Sequence, residues 1–216
     1  MKAIDELLDL LLPTRCAVCS ALGSAVCDEC AGKFEFRSRA LTRGDLPGLV
    51  VTSFGAPEQQ VIHAFKENGQ TSLVGFLANP LATPLRMIAE GLEGALLVPV
   101  PSSIENYKKR GFRPTKVLAK RVSRLSGHVC LVSDSLGFRR KVEDQAHLDS
   151  DSRRKNLSGS MAADSRVAGR PVILFDDVVT TGSTILEAGR AISSEGGILV
   201  GFLAFAETIL KTPPKN

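Results

Sequence analysis

Four cysteines stand as Cys16-x2-Cys19 and Cys27-x2-Cys30, two pairs of the same spacing with seven residues between them. Thiolates presented as two such knuckles can close a tetrahedron around one zinc ion and leave no position open for a substrate, which makes the site structural. Two other chemistries use similar residues. A pair of disulfides is disfavoured in a reducing cytoplasm, and a thioredoxin-like redox centre needs one C-x-x-C in a strand-to-helix turn rather than two in tandem. The insert between the pairs is short, so the module is expected to be a compact knuckle with little core of its own. The fifth cysteine, Cys130, lies about a hundred residues away in the apolar stretch 128–132 and reads as a core residue.

A second constellation follows the apolar run 171–175. It comprises Asp176, Asp177, Val178, Val179, Thr180, Thr181, Gly182, Ser183 and Thr184, after which Ile185, Leu186, Ala188, Gly189, Ala191 and Ile192 recur with helical period. Small hydroxyl residues and Gly at a helix start aim backbone N–H groups and hydroxyls at one point, which suits a phosphate. Two carboxylates just before it can accept hydrogen bonds from vicinal hydroxyls. A phosphate cup beside diol acceptors fits a ribose 5-phosphate. The plainer reading makes Asp176 and Asp177 polar loop residues and Ser183 an N-cap; it leaves two acids after a wholly apolar strand unexplained. The loop has neither the G-K-[ST] ending of a Walker A site nor the G-x-G-x-x-G of a dinucleotide fold.

The elements that must position these residues are legible as alternation. Segments 50–54, 95–100, 129–132, 171–175 and 199–206 read as strands, and 57–67, 73–91 (with possible breaks at Pro80 and Pro84), 114–125 and 183–194 as helices. Continuous apolar strands alternating with amphipathic helices predict an α/β domain on a parallel sheet, with ligands at the carboxyl ends of the strands. The division expected is 1–45, an N-terminal helix and the cysteine module, and 46–216, the sheet domain. The 216 residues carry 27 Lys plus Arg against 23 Asp plus Glu and are 44% apolar, an ordinary globular balance. A net charge of +4 does not make a nucleic-acid binder, because such affinity comes from clustered cations. Clusters do occur: Lys108, Lys109, Arg110 and Arg113; Arg139, Arg140 and Lys141; Arg153, Arg154 and Lys155. Each alone reads as a solvated surface; three in the half that holds the phosphate motif favour an anionic ligand. No apolar run reaches the eighteen or so residues of a membrane span. The leucine-rich start carries Asp5, Glu6 and Asp9, unlike a signal peptide, so a cytoplasmic protein without membrane insertion is expected.

Residues 172–184, VILFDDVVTTGST, resemble the PRPP-binding signature of type I phosphoribosyltransferases, in which two acids grip the ribose hydroxyls and the following loop holds the 5-phosphate. The whole chain is similar to the ComF family (ComFC or GntX-like), which sets a four-cysteine zinc module ahead of the transferase domain. Further matches are Leu12-Pro13 leading into Cys16, VPVP at 98–101, Arg110-Gly111-Phe112, and Gln145, Leu148, Arg153, Asn156 and Leu157; together they cover nearly all of 7–206. The chain departs from the family pattern twice. Arg113-Pro114 stands where Asn-Gln usually follows Arg-Gly-Phe, and Lys66-Glu67-Asn68-Gly69 where Lys-Tyr usually precedes a Gly.

The resemblance implies a parallel-sheet type I phosphoribosyltransferase fold with a small N-terminal zinc knuckle. It implies a Mg²⁺-dependent transferase in which the ion is held mainly by PRPP oxygens and waters. Asp176 and Asp177 orient the sugar, residues 178–184 bind PRPP, and the 101–113 loop takes the pyrophosphate through Ser102, Lys109 and Arg110, with Arg110 stabilising the leaving group. A mobile loop at 138–156 brings Arg140 and Lys141 over the reaction centre, and segment 40–69 forms the acceptor pocket. The family also brings a role in natural competence, with competence or DNA-processing proteins as partners. An alternative keeps the PRPP site as a sensor or docking surface without turnover. Direct strand binding is expected to be weak or absent, since aromatics make up 5% of the chain and Trp is missing. His63, His128 and His147 show no ligand spacing.

Overall fold

Runs of branched and aromatic apolar residues become strands where neighbours can cover both of their faces. In the computed structural model, which describes residues 14–140 and 156–208, the strands are β1 (Arg39–Arg43), β2 (Leu46–Ser53), β3 (Leu96–Pro99), β4 (Leu131–Val132), β5 (Leu136–Phe138), β6 (Met161–Ala163), β7 (Pro171–Val179) and β8 (Ile198–Glu207). Six form one sheet in the order β1-β2-β8-β7-β3-β4, and β5 and β6 form a separate ribbon. Within the six, β1 and β2 pair antiparallel and every other pair is parallel. The expected division at 45/46 falls in the turn of the β1–β2 hairpin.

The helices are α1 (Asp28–Ala31), α2 (Ala56–Lys66), α3 (Val74–Ala78), α4 (Ala82–Ala89), α5 (Ile104–Arg110), α6 (Pro114–Leu125) and α7 (Ser183–Ser194). Alternate residues of a strand point to opposite faces, and the two central strands show it. Ile173, Phe175, Leu203 and Phe205 join Phe65, Leu77, Leu85 and Leu118 from α2, α3, α4 and α6. Val172, Leu174, Phe202 and Ala204 join Ile185, Ala188 and Ile192 of α7 and Met161 of β6. The sheet is thus covered on both sides, as continuous apolar strands require; burying each of these side chains other than the alanines contributes about 1.5–3 kcal/mol. Among the described residues, no helix is long and apolar enough to cross a membrane.

Three features differ from the sequence reading, and a fourth, the segment 73–91, agrees with it in part. The run 171–175 does not end before the acids: β7 continues to Val179 because β8 lies alongside it, pairing Ala204 with Asp176, Ala206 with Val178 and Glu207 with Val179. The 101–113 loop contains α5, which starts where Ser103 Oγ accepts from the Asn106 N–H and stops at left-handed Gly111. Segment 73–91 breaks at Pro80, which sits in a short 3-10 turn, whereas Pro84 falls in the first turn of α4 and needs no N–H there. The strand β1 and the β5–β6 ribbon are additional to the elements read from the sequence.

Candidate functional site

The acids and the hydroxyl loop lie at the carboxyl end of the sheet. Asp177 is 4% exposed, and its carboxylate is met by Lys66 Nζ, the last residue of α2, at 2.8 Å. Its backbone N–H donates to Asp176 Oδ1 at 2.9 Å. Burial first, and then the adjacent Asp177 carboxylate, push Asp176 up to about 8, against the opposing pull of Lys66. Beyond the strand, Gly182 takes φ +84 and caps α7. The Thr181 and Ser183 hydroxyls are hydrogen-bonded at 2.9 Å, and the Leu186 N–H donates to Gly182 O, which starts the helix. The loop therefore presents hydroxyls and helix N–H groups together, the arrangement that receives a phosphate.

A residue that sequence reasoning missed closes this loop from the other side. Arg43 on β1 donates through Nε to Thr180 O at 3.0 Å and pairs with Glu207 at the end of β8. Arg39 also pairs with Glu207, at 2.6 Å. A Cβ on Gly182 would lie 2.6 Å from Arg43 Cγ, so the absence of a side chain lets the arginine lie across the loop. The signal that could have found Arg43 is weak, since a basic residue on an edge strand is ordinarily a solvated one.

The second part of the site comes from α5, which follows β3; the Val100 N–H donates to Phe175 O, so the turn carrying Ser102 leaves the sheet beside the acids. At its other end, Arg110 and Lys109 both pair with Glu67, which follows Lys66 directly. Burial would raise the Glu67 carboxyl, but the Arg110 and Lys109 contacts outweigh it and hold the group below its ordinary range. Lys66 loses cation stability to burial, recovers more from Asp177 and Asp176, and is opposed by nearby Arg110; the net direction is upward. Asp176, Asp177, Lys66, Glu67, Lys109 and Arg110 therefore form one charge network across three elements.

The cysteine sulfurs of Cys16, Cys19, Cys27 and Cys30 all lie within 4.8 Å of one another. Sulfurs at the corners of a zinc tetrahedron are about 3.8 Å apart for Zn–S bonds of about 2.3 Å, and Cys19 and Cys27 are 3.7 Å apart. The four sulfurs fit that ion. Each knuckle is a local turn: the Ser20 N–H returns to Cys16 O, and the Ala31 N–H to Cys27 O as α1 begins. Burial disfavours the Cys16 thiolate, yet the Cys19, Cys27 and Val18 N–H groups outweigh it and bring the thiol to about 6. Burial and the other sulfurs push Cys30 up to about 12. Ala17, Val18, Ala25 and Val26 pack on the cluster that holds Phe34 and Phe65, so the module borrows the sheet domain's core. Cys130 is buried, and burial pushes its thiol up to about 11.

No protein-family model matches the chain. The DNA utilization protein YhgH of Escherichia coli K12 is 26% identical over 74% of this chain and 72% of its own length. The competence protein ComFC of Bacillus subtilis is 25% identical over 84% and 72%. The chain is ComF-like. The orotate phosphoribosyltransferase of Pyrobaculum islandicum is 42% identical over 50 residues, 23% of this chain and 26% of that enzyme. Among solved structures, a hypoxanthine phosphoribosyltransferase of Staphylococcus aureus aligns with a TM-score of 0.42 at 8% identity, over 65% of this chain and 69% of its own.

In this ComF-like chain the expected site residues separate into three groups. Asp176 and Asp177 face Lys66, and Lys109 and Arg110 pair with the next residue, Glu67, while Ser102 and residues 180–184 leave the same sheet edge. Val178 packs against one core cluster and Val179 is buried in the other. Arg140 donates instead to the carbonyls of Asn156 and Ser158, at 2.7 and 3.0 Å. The expectations for Lys141, for most of the 138–156 loop, for the N-terminal helix and for His147 lie outside the described residues. His63 and His128 are exposed.

Proposed function

We propose that the ComF-like chain binds PRPP and transfers its phosphoribosyl group, and that it acts in the handling of incoming DNA, as the names of YhgH and ComFC suggest. The observation that carries the PRPP reading is the shared sheet edge. Two acids on β7, a hydroxyl loop at the α7 N-terminus and the Lys109–Arg110 pair of α5 offer, in turn, partners for a ribose, a 5-phosphate and a diphosphate.

In this reading Asp176 and Asp177 orient the sugar, Lys66 pairs with Asp177, and Thr180, Thr181, Gly182, Ser183 and Thr184 hold the 5-phosphate. As the acceptor bonds to C1 of the ribose, the C1–O bond to the diphosphate breaks and the departing group takes the electron pair. Arg110 and Lys109 stabilise that charge. Mg²⁺ takes oxygen ligands, and the donors at Asp176 and Asp177 are of that kind, but Lys66 already fills one side of Asp177. The chain thus offers part of a coordination shell, with substrate oxygens and waters for the rest. Bound there, the ion would neutralise diphosphate charge. At the cysteine module Zn²⁺ is structural, held by Cys16, Cys19, Cys27 and Cys30.

A phosphorus NMR time course of PRPP, Mg²⁺ and a pool of nucleobases tests the proposal. Acceptor-dependent growth of pyrophosphate is expected with the wild-type chain and none with Asp176→Asn/Asp177→Asn, which should also lose PRPP affinity while remaining folded. Unchanged PRPP affinity in the double variant would sink the ribose assignment. Binding without pyrophosphate release would favour a sensor or docking protein over an enzyme.

A further inference from the structure

We infer that Glu67 is an internal counter-anion of the diphosphate site: its carboxylate holds Arg110 and Lys109 until a diphosphate takes its place, and it thereby sets the affinity of this chain for that ligand. The inference rests on the PRPP reading above and names what regulates the same site.

Three observations lead to it. First, Glu67 meets both cations of the candidate diphosphate site at once, Arg110 through Oε1 and Lys109 through Oε2 at 3.3 Å. A carboxylate is the smaller relative of a phosphate in the eyes of a guanidinium, which binds either through parallel N–H bonds. Second, the Arg110 side chain is 9% exposed, and its Nε is buried with no hydrogen-bond partner among the described residues. One carboxylate leaves a donor of that guanidinium unused, and a diphosphate has oxygens enough to take it. Third, each cation of the network already has a carboxylate partner, Lys66 on Asp177 and both Lys109 and Arg110 on Glu67. A diphosphate entering this network meets cations already engaged, so it must displace the Glu67 contacts or share them with a like charge.

The position of Glu67 suits such an exchange. It lies just past the C-terminus of α2, followed by Asn68 and left-handed Gly69, where the chain can turn away without unwinding the helix. Its neighbour Lys66 stays on Asp177, so moving the Glu67 side chain need not disturb the ribose acids. The stretch Lys66-Glu67-Asn68-Gly69 is also where the chain departs from the family pattern, with an acid in place of the usual tyrosine. The departure adds a negative charge beside the pyrophosphate cations. Had Glu67 been a mere surface partner, Lys109 alone would have served, being 72% exposed and able to follow it.

Calorimetric titration with pyrophosphate and, separately, with ribose 5-phosphate tests the inference on the wild-type chain, Glu67→Gln and Glu67→Ala, each checked for an intact unfolding transition. Removing the competing charge should tighten pyrophosphate on the order of tenfold, the scale of one charge-assisted hydrogen bond, and leave ribose 5-phosphate unchanged. Equal or weaker pyrophosphate binding in both variants would overturn it and make Glu67 a residue that pre-organises Arg110. If ribose 5-phosphate still binds through Asp176 and Asp177 in that event, the counter-anion idea alone falls. If ribose 5-phosphate does not bind the wild-type chain at all, the PRPP reading falls and takes this inference with it.

Discussion

Asp176 holds its proton far above the range of an exposed carboxyl, at about 8, because burial and the Asp177 charge both disfavour its ionised form. A carboxyl whose folded pKa is raised binds its proton more tightly in the native state, so stability is greatest below the unfolded value near 4 and declines as pH rises toward 8. Asp176→Asn should therefore stabilise the ligand-free chain at pH 8 by at least about 1.4 kcal/mol, the equivalent of one pH unit. The gain should shrink toward pH 4. Urea unfolding at both pH values measures it, and a gain independent of pH would refute the assignment. Asp176 and Asp177 were legible in the sequence because two acids after an apolar strand have few other uses. Lys66, Glu67 and Arg43 were not, because each acquires its meaning from a partner 42 to 164 residues away. Only the folded sheet edge brings those partners within reach.

At the scale of elements, the turn from β7 into α7 depends on one backbone conformation. Gly182→Ala puts a Cβ at φ +84 and against Arg43, at a cost of about 1–3 kcal/mol. Ribose 5-phosphate should bind more weakly, while the unfolding midpoint falls. Adding Arg43→Ala removes the Cγ and Cδ that crowd the new methyl but leaves the Arg43 Cβ 2.7 Å from it, so it should restore only part of the stability lost; no recovery would show that φ and that remaining Cβ contact carry the cost. The main strands and long helices were legible from apolar runs and helical period. The short α5 was hidden behind its own charges, although its signals were present: Ser103 at the N-cap, Glu105 in the first turn, three cations in the last, and Gly111 after it. A reading guided by apolar period passes over a helix with no buried residue. The strand β1 escaped for a similar reason, since its five residues include Arg39, Thr42 and Arg43 and only pairing with β2 reveals them as a strand.

At the scale of the whole molecule, the cysteine module and the sheet domain share a core, since Ala17, Val18, Ala25 and Val26 pack on the cluster under α2 and α3. Stripping Zn²⁺ with a chelator, or making Cys30→Ser, should then lower a single cooperative unfolding midpoint by more than about 4 °C, because a structural zinc contributes well over 1 kcal/mol. Calorimetry showing an independent early transition for the module would refute that coupling. The sheet order has a consequence for how the chain is made. β8, the last strand described, lies between β2 and β7 and pairs with both. On the ribosome, the β1–β2 hairpin and the strand bearing the two acids must wait, each with an open edge, until the final strand emerges to join them. Such long-range closure slows folding and leaves apolar strands uncovered in the meantime, so nascent chains stalled before residue 198 should be the ones that need a chaperone.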